Sequence, residues 1–236
     1  MRRQYHKRPS QRLGREMELL VFGHAGTPAV VFPTSCGRFF EFEDRGMVHA
    51  IHAKLEAGQV QLFCVDSVDG ESWYSRSAAP RERITRQMQY ESYIMEELLP
   101  MVRRENGSPH LATIGCSFGG YHAVTMALRH PDVFSSFLSM SGTFDLAPFL
   151  SGYYDQDCYF NLPLHFLPNL SDPWYLDRYR HNSYTLATAV HDPCWDENER
   201  LARLLREKNI PCRFDVWGEQ AGHDWPWWQR MMQAYL

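Results

Sequence analysis

The sequence lacks any apolar run close to the 18 residues that a membrane-spanning helix needs, so we expect no membrane partner. It also lacks a basic excess, because the net charge is −4, which argues against a nucleic-acid partner. None of the six cysteines forms a Cys-x-x-Cys pair, which argues against a zinc ribbon or a thioredoxin-like site. Metal-ligand spacings and a phosphate-binding glycine loop are missing as well, so we expect neither a metal nor an organic cofactor.

What is present is typical of a globular domain: 236 residues, of which 44% are apolar and 22% charged. Residues 1–15 are basic and contain no acidic side chain, and they carry no apolar leader segment. We therefore expect a frayed N-terminus followed by a single domain over residues 16–236. The missing export signal and the scattered cysteines favour a cytoplasmic protein with reduced thiols.

Short apolar runs that predict strands alternate with longer patterns that predict helices. The predicted strands are 16–22, 29–32, 60–65, 111–114, 136–140, 185–190 and 212–217, and the predicted helices are 44–58, 82–105, 121–129, 197–208 and 225–236. We expect the first two strands to form a β-hairpin. The alternation after them predicts an α/β protein with a mostly parallel, twisted sheet and helices on both faces.

The segment of residues 143–183 interrupts this alternation and is rich in aromatic side chains. A long loop in a compact domain usually has a function, but such rings can also simply fill a core. Both interpretations stay open. On the functional one, the segment replaces a separate cap domain, and Tyr153 and Trp174 contact a short-chain or aromatic ester substrate.

Residues 115–119 read Gly-Cys-Ser-Phe-Gly, the G-x-S-x-G pattern of a nucleophile elbow. The pattern lies between a predicted strand and a predicted helix, the setting that an elbow requires. Gly115 and Gly119 are needed because side chains there would collide with neighbouring backbone, and Ser117 is expected in a strained conformation. Ser117 is therefore the candidate nucleophile.

A serine nucleophile needs a base, and a third residue must orient that base. Of the eleven histidines, His223 alone lies in the loop after the last predicted strand. Asp192 follows the strand 185–190 and fits the chain order Ser…Asp…His. Asp145 and Asp196 remain alternatives for the acid.

An oxyanion hole needs two N–H donors. One is expected from Phe118, directly after the candidate nucleophile. The other is expected from the loop after strand 29–32, where Pro33 has no N–H and either Thr34 or Ser35 can donate.

The combination of GCSFGG, HPDVF and the C-terminal AGHDWPWW resembles the esterase D-like branch of the α/β-hydrolase superfamily. That branch includes feruloyl esterases, formylglutathione hydrolases and mycolyltransferases. The resemblance implies a serine hydrolase of carboxylic esters with Ser117, His223 and Asp192 as its triad and the Phe118 and Ser35 N–H groups in its oxyanion hole. An acyltransferase using the same triad and a non-catalytic binding protein are the alternatives.

Overall fold

A computed structural model describes all 236 residues of the chain. Its centre is one eight-stranded sheet, formed by β1 (Arg3–Ser10), β2 (Arg15–Phe22), β3 (Thr27–Phe32), β4 (Val60–Val65), β5 (Ala112–Cys116), β6 (Ser136–Met140), β7 (Ser183–Ala189) and β8 (Arg213–Trp217). The strand order is β1-β2-β4-β3-β5-β6-β7-β8. β2 is antiparallel to both of its neighbours, and all other pairs are parallel. The mostly parallel sheet that the sequence predicts is confirmed.

The prediction of a frayed N-terminus is wrong, because β1 pairs with β2 along its whole length. Most of the basic side chains of this segment form ion pairs, and several of the acids come from distant parts of the chain. Arg3 Nε donates to Glu43 Oε1 at 2.6 Å, and Arg12 binds Glu96. A local excess of positive charge here therefore accompanies an edge strand and not a loose end.

The predicted hairpin between the first two apolar runs is also wrong. β4 lies between β2 and β3, and the hairpin of this fold is the β1–β2 pair. The side chains of β3 are buried on both faces from Pro28 to Phe32, which suits a strand at the centre of a sheet. The central position of β3 places the loop that follows it beside β5.

Helices cover both faces of the sheet, as predicted. They are α1 (Glu41–Asp44), α2 (Met47–Ala50), α3 (His52–Glu56), α4 (Pro80–Tyr93), a π-helical turn (Ile94–Leu98), α5 (Leu99–Glu105), α6 (Phe118–Arg129), a 3₁₀ turn (Ala147–Leu150), α7 (Gln156–Asn161), α8 (Pro163–Asn169), α9 (Pro173–His181), α10 (Trp195–Glu207) and α11 (Trp225–Tyr235). A core of 21 buried residues lies under α1–α3 and α11, and one of 43 residues lies on the opposite face under the other helices. No helix is both long and apolar enough to cross a membrane.

The aromatic segment 143–183 is mostly helical and contains the 3₁₀ turn and helices α7, α8 and α9. Phe144 and Tyr179 are fully buried in the larger core, whereas Tyr154 and Trp174 are exposed. The core interpretation is therefore correct for part of the segment. Prolines begin α8 and α9, a position where the missing N–H costs nothing.

Candidate active site

Ser117 lies between β5 and α6 on a sharply bent backbone, with φ 53° and ψ −121°. Such an angle pair is unfavourable for a residue with a side chain and costs roughly 1–3 kcal/mol. A Cβ on Gly115 would lie 2.0 Å from the Gly119 carbonyl oxygen, and a Cβ on Gly119 would lie 2.4 Å from that of Phe32. The strained serine and the need for glycine two residues before and after it are thus both observed.

The structure brings Ser117, His223 and Asp192 into one hydrogen-bonded chain. His223 Nε2 lies 3.0 Å from Ser117 Oγ, and His223 Nδ1 lies 3.1 Å from Asp192 Oδ1. The histidine stands in the loop between β8 and α11, and its ring packs edge-on against Trp228. With Nδ1–H donated to the carboxylate, Nε2 is free to accept a proton from the serine hydroxyl.

Asp192 is buried in the turn after β7, where its Oδ1 also accepts a hydrogen bond from the Cys194 N–H at 2.8 Å. Burial alone would raise the pKa of this carboxyl group. Hydrogen bonds from His223, Ser141 and the Cys194 N–H outweigh burial, so the pKa of Asp192 is lowered from its ordinary value and the group is ionised at neutral pH. A negative charge therefore faces the imidazole.

The two alternative acids do not reach His223. Asp145 is exposed, and its backbone N–H donates to Glu197 Oε2 at 2.8 Å. Asp196 is exposed in the first turn of α10, where a negative charge suits the helix N-terminus. Only Asp192 of the three candidates lies within hydrogen-bond distance of the histidine.

Two N–H groups without an acceptor belong to the segments that meet at the elbow. Phe118 is the first residue of α6, so its N–H has no acceptor within the helix. The loop after β3 lies against the same helix start, because the Phe32 and Pro33 carbonyl oxygens are next to Gly119. In that loop the Thr34 N–H already donates to Glu41 Oε2 at 2.8 Å, which leaves Ser35 as the available donor of the two that the sequence allows.

The structure places Trp174 away from Ser117, whereas a substrate contact of Tyr153 stays a prediction. Trp174 lines a cavity of about 400 Å³ with Leu128 and Arg129, at the far end of α6 and about 17 Å along that helix from the elbow. Tyr153 donates its hydroxyl hydrogen to Asp155 Oδ2 at 2.6 Å and packs on the larger core. Trp174 is therefore not placed as a substrate contact.

One aromatic residue near the elbow, Tyr74, was missed by the sequence reasoning. Tyr74 packs edge-on against Phe118 at 5.0 Å and against Phe149 at 4.9 Å between ring centroids. The Tyr74 hydroxyl also lies 2.8 Å from Ser35 Oγ. Tyr74 follows β4 at the carboxyl end of the parallel strands, and that position was the signal available in the sequence.

One cluster of possible metal ligands is present, namely Asp192, Cys194 and His223, with ligand atoms within 4.8 Å of one another. Burial raises the pKa of the Cys194 thiol to about 12, with Glu197 and Asp192 adding to the effect. A thiol must lose its proton to bind a metal well, and the other two groups are bonded to each other. The residues thus suit an acid–base chain better than a metal.

The chain is similar to a known family and to several solved structures. The family model described as "Putative esterase" matches residues 10–236. A ferulic acid esterase superposes with a TM-score of 0.81 at 17% identity, covering 100% of this chain and 96% of the other. An S-formylglutathione hydrolase from Agrobacterium tumefaciens superposes with a TM-score of 0.77 at 16% identity, covering 99% of this chain and 92% of the other.

A third structure, the fluorophosphonate-binding serine hydrolase FphF from Staphylococcus aureus, has a TM-score of 0.65 at 16% identity and covers 99% of this chain and 96% of its own. A search of curated proteins found no match. At such identities the superpositions establish the fold, and they confirm the α/β-hydrolase fold that the sequence motifs imply.

Proposed function

This chain belongs to the "Putative esterase" family, and we propose that it is a serine hydrolase that cleaves carboxylic esters through an acyl-enzyme. The observation that carries the proposal is the contact of Ser117 Oγ with His223 Nε2 at 3.0 Å, on a histidine whose other nitrogen faces Asp192. Geometry of this kind turns a weak nucleophile into a reactive one. A protein that only binds ligands would have no use for it.

In the proposed reaction Ser117 Oγ attacks the ester carbonyl carbon while its proton passes to His223 Nε2. Asp192 stabilises the imidazolium that forms. The carbonyl oxygen becomes negative and is bound by the Phe118 and Ser35 N–H groups. Collapse of this intermediate breaks the ester bond, and the alcohol leaves with the proton from His223.

The acyl group is then an ester on Ser117, and water completes the cycle. His223 removes a proton from the water as it attacks the acyl carbon, and the same two N–H groups bind the second oxyanion. Breaking the acyl bond returns the proton to Ser117 Oγ and releases the carboxylic acid.

We propose a short acyl chain for the substrate. Tyr74, Phe149 and Phe118 pack against one another beside the elbow. A wall of three aromatic rings beside the nucleophile suits a small acyl group better than a long alkyl chain.

We also propose a cytoplasmic location. All six cysteines are free in the structure, and Cys36 is exposed. Unpaired thiols are typical of a reducing compartment. Expression with a fluorescent tag at either end, followed by cell fractionation, tests this location.

Fluorophosphonate labelling tests the nucleophile. Wild-type protein should be labelled at Ser117, Ser117→Ala should not be labelled, and Ser183→Ala, at an exposed serine remote from the elbow, should be labelled like wild type.

On p-nitrophenyl acetate, Ser117→Ala should lower kcat by at least about 10³-fold with an unchanged melting temperature. Activity on p-nitrophenyl esters should fall from acetate to octanoate. Labelling at another serine, or an active Ser117→Ala variant, would contradict the proposal.

A further inference from the structure

The loop of residues 34–37, which follows β3, has four backbone N–H groups. Three of them donate within the protein: Thr34 to Glu41 Oε2 at 2.8 Å, Cys36 to Asp69 Oδ2 at 3.1 Å and Gly37 to the Thr34 carbonyl at 2.8 Å. The Ser35 N–H makes no hydrogen bond within the protein. The two carboxylates thus hold the residues on either side of Ser35 and leave its N–H free for a ligand.

Glu41 holds the loop from one side with both carboxylate oxygens. Oε2 accepts the Thr34 N–H, and Oε1 accepts the Thr34 hydroxyl at 2.8 Å. The carboxylate also lies against Gly37, where a Cβ would come within 2.7 Å of Oε2. Glycine at this position is therefore a requirement for the Glu41 contact.

Asp69 holds the loop from the other side. It accepts the N–H of Cys36, whose φ of 57° is unfavourable for a residue with a side chain, so the backbone needs support there. Its other oxygen lies 2.9 Å from His122 Nε2, and both side chains are buried. His122 is one turn after Phe118 in α6, and their rings pack at 5.1 Å. Asp69 therefore links the Ser35 loop to the helix that carries the Phe118 N–H.

We infer that Glu41 and Asp69 are positioning residues that hold the Ser35 N–H at a fixed place relative to the Phe118 N–H. The inference rests on the proposed function, because it assumes that these two groups bind an oxyanion. Loss of one donor from an oxyanion hole typically lowers kcat by about 10²- to 10³-fold. A displaced donor should lower the rate by part of that factor. The loss should affect acylation and deacylation alike, because both steps pass through an oxyanion.

The test uses Glu41→Ala and Asp69→Asn. For each variant, kcat and KM on p-nitrophenyl acetate are measured, together with the inhibition constant of a trifluoromethyl ketone, whose adduct with Ser117 carries an oxyanion. We expect kcat to fall and the inhibition constant to rise by the same factor of about 10 to 100, with KM within about twofold of wild type. A residue with a purely structural role would not link these two quantities.

Two control variants change carboxylates elsewhere in the protein that bind the same kinds of partner, a backbone N–H and a histidine ring. Glu82 accepts the Ala79 N–H at 2.9 Å at the start of α4, and Glu91 lies 2.7 Å from His130 Nε2 beyond the far end of α6. Glu82→Ala and Glu91→Gln should lower the melting temperature without a change in kcat or in inhibitor affinity.

The inference is overturned if Glu41→Ala and Asp69→Asn lower only the melting temperature, as the controls do. If Asp69→Asn does not fold, Glu41→Ala decides alone, because Glu41 lies near the surface on a short helix. Failure of the proposed function has a different signature. In that case wild-type protein would not be labelled at Ser117, or Ser117→Ala would retain its activity, whatever the two positioning variants do.

Discussion

Replacing Gly119 by alanine tests how tightly the elbow is packed against β3. The added Cβ would lie 2.4 Å from the Phe32 carbonyl oxygen and 2.6 Å from that of Pro33. An ordinary contact is about 3.5 Å, so the backbone would have to separate by about 1 Å. β3 cannot retreat easily, because it is hydrogen-bonded to strands on both sides, β4 and β5.

Overpacking of this kind costs about 1–3 kcal/mol, and a clash with backbone belongs at the upper end because no rotamer relieves it. Alanine gains up to about 1 kcal/mol over glycine in a helix, which offsets part of the cost. We expect Gly119→Ala to lower the free energy of unfolding by about 2–3 kcal/mol. At about 2–4 °C per kcal/mol for a domain of this size, the melting temperature should fall by roughly 4–12 °C.

Urea and thermal unfolding measure this loss, with Gly107→Ala as the control. A Cβ on Gly107 would meet nothing within 4 Å, so that variant should stay within about 0.5 kcal/mol of wild type. Gly119→Ala should also lower kcat, since the Phe118 N–H and the loop after β3 are pushed apart. A Gly119→Ala variant with wild-type stability and kcat would refute the reasoning.

Asp192→Asn should lower kcat by about 10³-fold or more, because the amide carries no charge to stabilise the imidazolium, whereas Asp145→Asn should leave kcat within about twofold of wild type. Because the pKa of the Asp192 carboxyl is lowered in the folded protein, the ionised carboxylate stabilises the fold at pH values above the ordinary carboxyl pKa near 4. Urea titrations of wild type should show this stability being lost as the pH falls through the lowered pKa. Phe149→Ala should raise the kcat/KM of the octanoate ester relative to that of the acetate ester by about tenfold, and Trp174→Ala should leave that ratio unchanged. The reverse pattern would place the acyl group at the far end of α6.

The features that could be predicted from the sequence depend on neighbours a few residues apart. The elbow is one of them, because Gly115 is required by its contact with Gly119 in the same strand–turn–helix unit, although the contact that requires Gly119 comes from Phe32 and Pro33 after β3. The alternation of strands and helices is another, because apolar periodicity in each segment reports which face is buried. His223 could be selected because it alone follows the last strand.

The features that needed the tertiary structure depend on residues far apart in the chain. Strand β1 has a polar sequence and is held by backbone pairing with β2 and by acids such as Glu43, so its own composition indicated a loose end. Trp174 was grouped with the site because the segment 143–183 is rich in aromatic residues, but α9 places it at the opposite end of α6. Periodicity does not report where a short helix docks.

The choice between similar groups was also decided only in three dimensions. Thr34 and Ser35 are adjacent and chemically alike, and it is Glu41, seven residues later, that occupies the Thr34 N–H. Asp192 lies 31 residues from His223, and the hydrogen bond between them follows from the turn after β7 and from the loop after β8. Local sequence determined which residue types could perform each task, and the packing of distant segments determined which individual residue is in position for it.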